Sequence, residues 1–421
     1  MERRARLVPL LRACLAAGAL LASSSALFAA CLLDLGSLSS AGASSSAGSG
    51  GSSSSGGAPT SSSSHSTATA STTSTTSTTS STGVAGGGDG GPIPDAGGDA
   101  NPGCAALDCS CEAPCPAGGC TPTVLATGAT FADTPWGIVA PKAGGLYWTN
   151  QHGNNLARIK PGGGGPEVLT SATTPGAIAV VNGVVAWAAE DGVHSCTADT
   201  CGTTDAILHP SAAPGTVQGV AFDGQTVAWS DRVGVNAGQV LSCPIGACTS
   251  PTVLINGQIA PLGVALHGGS VFWIDQGNGN QNGNVAFGIK TGGSFTQVSA
   301  VLNLPTGLAV DATYVYWTEQ LAAGRILRCP YAAGYCPSPI DAAAAAGPLG
   351  RPLDITLGGG RMYWSNADTG SILSCPTPGC GSAPPRVHAT GRQGLRHVAV
   401  NATCLFWTDD TAGGSVLRVP R

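Results

Sequence analysis

The sequence predicts an all-β fold, a seven-bladed β-propeller of four-stranded blades that is closed by an N-terminal strand pairing with the C-terminal blade. Three observations predict this fold. Seven of the eight Trp residues occur in one repeated motif, similar strand patterns surround each copy, and the strand missing after the last copy is present near the N-terminus.

The tryptophan motif sets the length of the repeat. Successive motif Trp residues are separated by 39, 42, 44, 44, 47 and 43 residues. A period of about 43 residues is typical of one four-stranded propeller blade. The motif residues are Trp148, Trp187, Trp229, Trp273, Trp317, Trp364 and Trp407.

Three further strands accompany each Trp strand. Ten or eleven residues before each Trp, a short apolar strand begins, and in five repeats its first residue is Gly or Ala. A third strand follows each Trp, and a fourth strand follows six of the seven third strands. The chain ends at Arg421 after the seventh third strand, whereas residues 121–128 closely resemble residues 250–257, a fourth strand. We therefore expect residues 121–128 to form the outer strand of the last blade, which leaves no open seam in the ring.

The Trp motif and the preceding strand, of the form P-x-G-[ILV]-A, resemble the YWTD repeats of the low-density-lipoprotein-receptor family and the related NHL-type propellers. The resemblance covers residues 121–421. In that family the Trp and the acid of the motif bridge neighbouring blades, which implies a structural role for the seven Trp residues and for Asp231, Asp275 and Asp409. YWTD propellers usually have six blades and accompany EGF-like modules. This chain has seven repeats and no such module, so the resemblance implies an architecture rather than a receptor role.

The N-terminus has the layout of an export signal. Within residues 1–30, four Arg residues precede an apolar run and then a stretch of small residues. The tail Phe28-Ala29-Ala30-Cys31 resembles a bacterial lipobox, which implies that Cys31 is lipidated and becomes the first mature residue. Phe28 stands where Leu is usual, and the alternative is cleavage by the ordinary signal peptidase with Cys31 unmodified. We expect an exported lipoprotein of the outer membrane or cell envelope, with a secreted or periplasmic protein as the alternative.

Residues 31–103 consist largely of Ser, Thr, Gly and Ala. Such a segment has too few apolar side chains to offset the entropy of ordering the chain. We predict a disordered, lipid-anchored tether, followed by a Cys-rich lead-in at residues 104–120 and the propeller at residues 121–421.

Cysteine spacing predicts a set of local disulfides. Sixteen Cys residues in an exported chain indicate an oxidising compartment, and ten of them form pairs five or seven residues apart near the junction of third and fourth strands. Apart from Cys14 and Cys31 of the N-terminal segment, Cys104, Cys109, Cys111 and Cys404 remain, and we expect one of the first three to bond Cys404. The local pairs are Cys115 with Cys120, Cys196 with Cys201, Cys243 with Cys248, Cys329 with Cys336, and Cys375 with Cys380.

Composition excludes several classes of function. A net charge of −5 offers no basic surface for nucleic acid. Outside the N-terminus no apolar run reaches about 18 residues, so we expect membrane association through the lipid anchor only. The asparagine-rich run at residues 278–283 mimics the start of a calcium loop but lacks its charged ligands, and position twelve is Ile289. We expect no metal, no cofactor and a monomeric protein.

Four residues depart from the repeat and form the candidate ligand site. In blades six and seven, Asp354 and His397 replace the small residue that begins the first strand. At the preceding position, blade seven has Arg396 and blade one has Trp136. Because these blades are neighbours across the closure, we expect the four side chains to line one mouth of the central channel.

The candidate site suits a small polar or anionic ligand. Arg396 would bind a carboxylate or phosphate, Trp136 would supply a stacking face, and Asp354 would orient His397. In the alternative interpretation, Asp354 and His397 bond each other or loop amides, and Trp136 caps the core.

The sequence supports three hypotheses for function. The first is an envelope-tethered binding or protein-interaction module whose ligand is unknown. The second is a propeller enzyme of the lyase or lactonase type, with Asp354 and His397 as the only suggestion of acid–base chemistry. The third is a purely structural role in the envelope.

Overall fold

The computed structural model describes residues 106–421, except residues 111, 235, 247, 348 and 412. In this part of the chain, the strands form seven four-stranded antiparallel sheets, which confirms the predicted seven-bladed propeller. The predicted signal, the lipidation site Cys31, the tether, Cys104 and Cys111 lie outside the described residues.

The two inner strands of each blade come first in the repeat. The first strands are β2 Pro135–Val139, β6 Ile178–Val181, β10 Val217–Phe222, β14 Pro261–His267, β18 Pro305–Val310, β22 Pro352–Gly358 and β26 Leu395–Val400. The second strands, which contain the motif Trp residues, are β3 Leu146–Asn150, β7 Val184–Ala189, β11 Thr226–Asp231, β15 Ser270–Asp275, β19 Tyr314–Glu319, β23 Arg361–Asn366 and β27 Cys404–Asp409.

The two outer strands complete each blade. The third strands are β4 Asn155–Ile159, β8 Gly192–Thr197, β12 Gly238–Pro244, β16 Gly283–Ile289, β20 Arg325–Pro330, β24 Ser371–Pro376 and β28 Ser415–Pro420. The fourth strands are β5 Glu167–Ser171, β9 Ala206–Pro210, β13 Thr252–Gln258, β17 Phe295–Leu302, β21 Ile340–Asp341, β25 Arg386–Ala389 and, for blade seven, β1 Thr123–Thr127.

Helical structure in the described residues is confined to single turns. The turns are the α-helical segments Gly128–Phe131 and Cys201–Thr204 and the 3₁₀ segments Tyr331–Ala333 and Ala344–Ala346. None of the helices in residues 106–421 is long and apolar enough to cross a membrane.

Ring closure uses the N-terminal strand, as predicted. β1 pairs antiparallel with β28, from Thr123 opposite Arg418 to Thr127 opposite Ser415. Before β1, a disulfide joins Cys109 to Cys404 across 295 residues of sequence, with a Cα–Cα distance of 5.3 Å. The lead-in is therefore covalently attached to the last blade, and Cys109 is the N-terminal Cys that bonds Cys404.

The five predicted local disulfides are confirmed. Their Cα–Cα distances lie within the span that a disulfide bridges. Together with the Cys109–Cys404 bond, the described residues contain six disulfides, a number typical of proteins in oxidising compartments outside the cytosol. The local bonds, with their Cα–Cα distances, are Cys115 to Cys120 at 4.8 Å, Cys196 to Cys201 at 4.9 Å, Cys243 to Cys248 at 5.4 Å, Cys329 to Cys336 at 6.2 Å, and Cys375 to Cys380 at 4.9 Å.

The second cysteine of a local pair also attaches its loop to the preceding blade. The Cys336 N–H donates a hydrogen bond to the Val298 carbonyl of blade four at 2.7 Å, and the Cys380 N–H donates to the Ala342 carbonyl of blade five at 2.8 Å. Cys248 packs against the apolar cluster between blades two and three. The loops between third and fourth strands are therefore fixed both within a blade, by the disulfide, and between blades.

The core consists of seven apolar clusters, each between two adjacent blades. Every cluster contains one motif Trp, and all seven Trp residues have no exposed surface. Trp407 of blade seven packs on Tyr363 and Ile372 of blade six. Trp148 of blade one packs on Phe406 of blade seven, so the closing interface is built like the others. The structural role implied for the Trp residues by the resemblance is thus present in this chain.

The residue after Trp bridges neighbouring blades near the channel. In blade three, Ser230 Oγ accepts a hydrogen bond from the Gly219 N–H at 2.9 Å and donates to the Leu262 carbonyl of blade four at 2.6 Å. Blades two and four have Ala188 and Ile274 at this position. The hydroxyls that make the bridge belong to Thr149, Ser230, Thr318, Ser365 and Thr408.

The bridge explains why the first strand begins with a small residue. A Cβ atom placed on Gly219 would lie 2.2 Å from the Leu262 carbonyl oxygen, and one on Gly307 would lie 2.8 Å from the Leu353 carbonyl oxygen. Both distances are shorter than van der Waals contact allows. A side chain at Gly219 or Gly307 therefore requires the neighbouring strand to shift.

We predict that Gly219→Ala lowers the free energy of unfolding by about 2 kcal/mol or more, because the methyl group cannot be accommodated without displacing Leu262. Denaturant unfolding followed by tryptophan fluorescence measures the change. Ala177→Gly is the matched control, since it alters the same repeat position in blade two, where no hydroxyl bridge exists, and it should cost less than about 1 kcal/mol. Equal stability of Gly219→Ala and the unmodified protein would contradict the steric argument.

A buried histidine lies where the lead-in meets blade six. His388 on β25 has no exposed surface, and its Nε2 atom is 2.8 Å from Ser374 Oγ. Its carbonyl accepts a hydrogen bond from the Cys120 N–H at 2.8 Å. Burial, together with the nearby Arg386 and Arg361 guanidinium groups, lowers the pKa of His388 to about 4.

We predict that this histidine makes stability depend on pH in the acidic range. Above the ordinary pKa of about 6.5, the imidazole is neutral in both folded and unfolded chains and contributes no pH dependence. As the pH falls from about 6.5 towards about 4, only the unfolded chain gains the proton, so the folded state loses on the order of 2 kcal/mol.

The measurement is the free energy of unfolding between about pH 7 and about pH 4.5 for the unmodified protein and for His388→Gln. Carboxylates titrate in both proteins, so the difference between the two curves isolates the histidine. The difference should grow steadily as the pH falls. Parallel curves would contradict the prediction.

Candidate functional site

A cavity of about 450 Å³ opens at one end of the central channel. All seven first strands contribute to its lining. One apolar residue from each, directly after the small-residue position, forms a ring around the channel axis. The ring residues are Ile138, Ile178, Val220, Val264, Leu308, Ile355 and Val398.

Three repeat positions provide the polar groups of the mouth. The first two are the residues one and two before each ring residue, and the third is the residue three after each motif Trp. Strand register brings the second and third positions close together, because the start of the first strand pairs with the end of the second, as Leu395 does with Asp409. The side chains that line the mouth therefore differ from blade to blade, while the backbone that carries them is the same.

Asp354 and His397 lie side by side across the boundary of blades six and seven. His397 Nδ1 lies 3.3 Å from Asp354 Oδ2. The same carboxylate oxygen accepts a hydrogen bond from the Val398 N–H at 2.9 Å. The side chains of His397 and Asp354 are 35% and 19% exposed, so the pair is accessible from the cavity.

Arg396 lies over the indole of Trp136. Its guanidinium carbon is 4.4 Å from the ring centroid, within the range of a cation–π interaction. The Nε atom also donates a hydrogen bond to Asp410 Oδ2 at 2.6 Å. Trp136 in turn lies 5.8 Å from the His397 ring, between centroids, at a tilt of 54°. The four predicted residues and Asp410 thus form one continuous cluster, which we call the closure cluster.

Asp409 and Asp410 are adjacent acids with different roles. Asp409 is the acid of the Trp motif and is buried, and its Oδ2 accepts a hydrogen bond from Arg392 Nε at 2.9 Å. Burial raises the pKa of Asp409, while the ion pair with Arg392 opposes the increase. Asp410 is 15% exposed and holds Arg396. Asp410 was not predicted from sequence, although only blade seven has acids at both the second and the third positions after the motif Trp.

The structure brings together all four residues of the sequence-predicted site at one channel mouth. Their side chains line the cavity, as the ligand-site interpretation predicts. They also contact one another, as the alternative interpretation predicts. Ligand binding at these residues stays a prediction. Among the described residues, no group of three or more His, Cys, Asp or Glu side chains could hold a metal ion.

The opposite side of the mouth is lined by neutral polar side chains. Gln218, Gln276, Thr306 and Gln320 of blades three, four and five face the cavity. Gln276 Nε2 donates a weak hydrogen bond to Thr306 Oγ1 at 3.4 Å, and Gln218 Nε2 donates to the Gly215 carbonyl at 3.0 Å. We call these four residues the amide side. These residues were not predicted from sequence, because Gln and Thr are ordinary residues at the ends of exposed strands.

Comparison with known proteins supports the fold and leaves the function open. No protein-family model and no curated protein sequence matches the chain. Streptogramin B lyase is similar in structure, with a TM-score of 0.57, 12% identity, and coverage of 72% of this chain and 98% of that chain.

Two further solved structures are similar. An inactive histidine-to-alanine variant of virginiamycin B lyase from Staphylococcus aureus, solved with quinupristin, has a TM-score of 0.52, 13% identity, and coverage of 71% and 98%. A chain of the nidogen/laminin complex has a TM-score of 0.40, 18% identity, and coverage of 56% and 93%. At such identities, the likeness to the two lyases shows the propeller fold alone.

Proposed function

We propose that the protein is an exported binding propeller whose ligand site is the channel mouth, centred on Trp136, Asp354, Arg396 and His397. The observation that supports it is the convergence of these four side chains in one cavity whose remaining wall is apolar or neutral. Ligand sites commonly combine an apolar cavity with a few convergent polar groups. We also propose that a lipid on Cys31 attaches the protein to the cell envelope.

The hydrogen bond between the first and second strands is longer in the two blades that carry these residues. Where the small-residue position is Gly, its backbone nitrogen lies 2.7 to 2.9 Å from the bridging hydroxyl of the same blade. At Asp354 and His397, the same distance is 3.3 Å. The bonds from these hydroxyls to the next blade stay at 2.8 Å, so a side chain at this position weakens the bond within the blade and leaves the bond between blades intact. Departures from a repeat that weaken local structure are expected where function requires them.

Arg396 and Trp136 are positioned in advance of binding. Asp410 and the indole fix the guanidinium, and Asp354 lies beside the imidazole. A ligand would therefore meet side chains that have already lost their rotamer freedom, which reduces the entropy cost of association.

We expect small polar fragments to bind this cavity in ligand-observed NMR, and Trp136→Ala or Arg396→Ala to abolish most of that binding. Arg351→Ala is the matched control, because Arg351 also pairs with an acid, Asp368, at 2.6 Å one blade earlier but does not line the cavity. Fragment binding that survives both cavity substitutions would contradict the proposal.

The Asp354–His397 pair favours a second candidate function, an enzyme of the lyase type. A histidine held by a carboxylate can act as a general base when a substrate proton comes within reach. The fold similarity to virginiamycin B lyase, whose histidine-to-alanine variant is catalytically inactive, makes a reaction at this pair worth testing.

If the second candidate is correct, the purified protein should convert quinupristin to a product of altered chromatographic mobility or mass, and His397→Ala should abolish the conversion. Asp354→Asn should reduce the rate by at least about tenfold, because the imidazole loses its orienting carboxylate. Unchanged quinupristin after prolonged incubation, at enzyme concentrations that give complete turnover with the streptogramin lyase, would exclude this substrate.

A further inference from the structure

The channel mouth has a neutral amide side whose role the binding proposal does not explain. Gln276 and Gln320 occupy the same repeat position as Asp410, three residues after the motif Trp, and lie in neighbouring blades. The side chain of Gln320 makes no hydrogen bond with the described residues, and the Gln276 carboxamide makes only the weak bond to Thr306. These amides offer donors and acceptors to a ligand.

The charged groups of the mouth already have polar partners. Arg396 is paired with Asp410, and the Asp354 carboxylate accepts a hydrogen bond from the Val398 amide and lies beside the His397 ring. A charged ligand would have to displace Asp410 from Arg396 or add a second charge beside an existing pair. Either event costs desolvation or repulsion in a partly enclosed cavity. The site therefore favours a ligand without net charge.

The remaining wall requires an apolar surface on the ligand. The seven-residue ring of Ile, Val and Leu side chains and the Trp136–His397 pair leave C–H and aromatic groups around the cavity. A ligand that fills the cavity must present C–H groups to this ring and hydroxyl or amide groups to the rim. It must also be compact, because the cavity is bounded by first strands from all seven blades rather than open along a groove.

We propose that the channel mouth binds a neutral pyranose sugar, either alone or as the end of a glycan. A pyranose has C–H groups on its faces and hydroxyl groups around its edge, and planar carboxamide and carboxylate groups can bond two adjacent hydroxyls. A cavity of about 450 Å³ accommodates one or two such rings. The inference rests on the proposed function and extends it by naming the ligand class and by assigning the amide side to the site.

The experiment titrates the purified propeller with methyl glycosides of glucose, galactose, mannose and N-acetylglucosamine and with their β-1,4-linked disaccharides, using calorimetry and saturation-transfer NMR. Glucuronate and glucosamine serve as charged analogues of the same ring. At least one neutral sugar should bind about tenfold more tightly than its charged analogue. Raising the salt from about 50 to about 500 mM should change that affinity less than about twofold, because no net charge is neutralised on binding.

Variants assign the binding to the two sides of the mouth. Gln276→Ala combined with Gln320→Ala should weaken sugar binding about tenfold or more through lost hydrogen bonds. Gln151→Ala is the matched control, since Gln151 occupies the same repeat position in blade one but does not line the cavity. The inference would be overturned if glucuronate bound more tightly than the neutral sugars, or if sugar affinity depended strongly on salt. It would also be overturned if the double substitution left sugar affinity unchanged.

Failure of the inference can be distinguished from failure of the binding proposal. If no sugar binds but polar fragments still bind and are lost with Trp136→Ala, the cavity is a ligand site of another chemical class and the sugar assignment is wrong. If neither sugars nor fragments depend on Trp136 or Arg396, both proposals are wrong. If glycan binding is lost on substitution of residues outside the mouth instead, the sugar site lies elsewhere and the assignment to the amide side fails.

Discussion

The close approach of neighbouring first strands at the channel is the constraint on which the rest of the structure depends. At Gly219, the carbonyl oxygen of the next blade lies only 2.2 Å from the position of a Cβ atom, and a serine hydroxyl links the two blades at this point. Blade two lacks the hydroxyl, and there main-chain hydrogen bonds of 2.9 Å, from the Gly176 N–H to the Ala188 carbonyl and from the Ala188 N–H to the Ala177 carbonyl, join its own first and second strands. This close approach sets the distance between neighbouring blades at the channel. At that distance, each motif Trp fills the space between its blade and the preceding one. The hydrogen bonds and the Trp packing therefore both depend on the distance between blades.

A ring of such interfaces is complete only when the two chain ends meet. The last interface has the same Trp cluster as the others, and it is reinforced by the β1–β28 pairing and the Cys109–Cys404 disulfide. In the chain-entropy description, a bond that closes a loop of 295 residues stabilises by about 5 to 6 kcal/mol, whereas each local bond contributes about 2 kcal/mol. The local disulfides hold hairpin geometry within blades. The long-range one opposes opening of the ring, which would expose Trp148 and Phe406 together.

Much of this architecture could be predicted from the sequence because it repeats. Seven copies of the Trp motif identify the blades, and the similarity of residues 121–128 to residues 250–257 identifies the closing strand. Residues whose role depends on register between strands could not be found in this way. Thr149 and its equivalents are ordinary strand residues by propensity, and only the three-dimensional register places their hydroxyls between blades. Asp410 stands next to the motif acid, and Gln276 and Gln320 have the composition of exposed loops. His388 points inward from the outer strand β25, which is too short to show an alternation of apolar and polar residues in the sequence.

The chemistry of the closure cluster follows from its position above an apolar ring. An unpaired guanidinium or carboxylate beside seven aliphatic side chains would lose hydration without compensation. Arg396 can occupy this position because Asp410 and the Trp136 ring replace its water, and Asp354 can do so because its Oδ2 atom accepts a hydrogen bond from the Val398 amide and lies 3.3 Å from His397 Nδ1. These contacts hold the groups in place and leave them polar. A cluster of this kind recognises the directions of a ligand's hydrogen bonds more than its charge, and the neutral amides of blades three to five present the same kind of chemistry on the facing side.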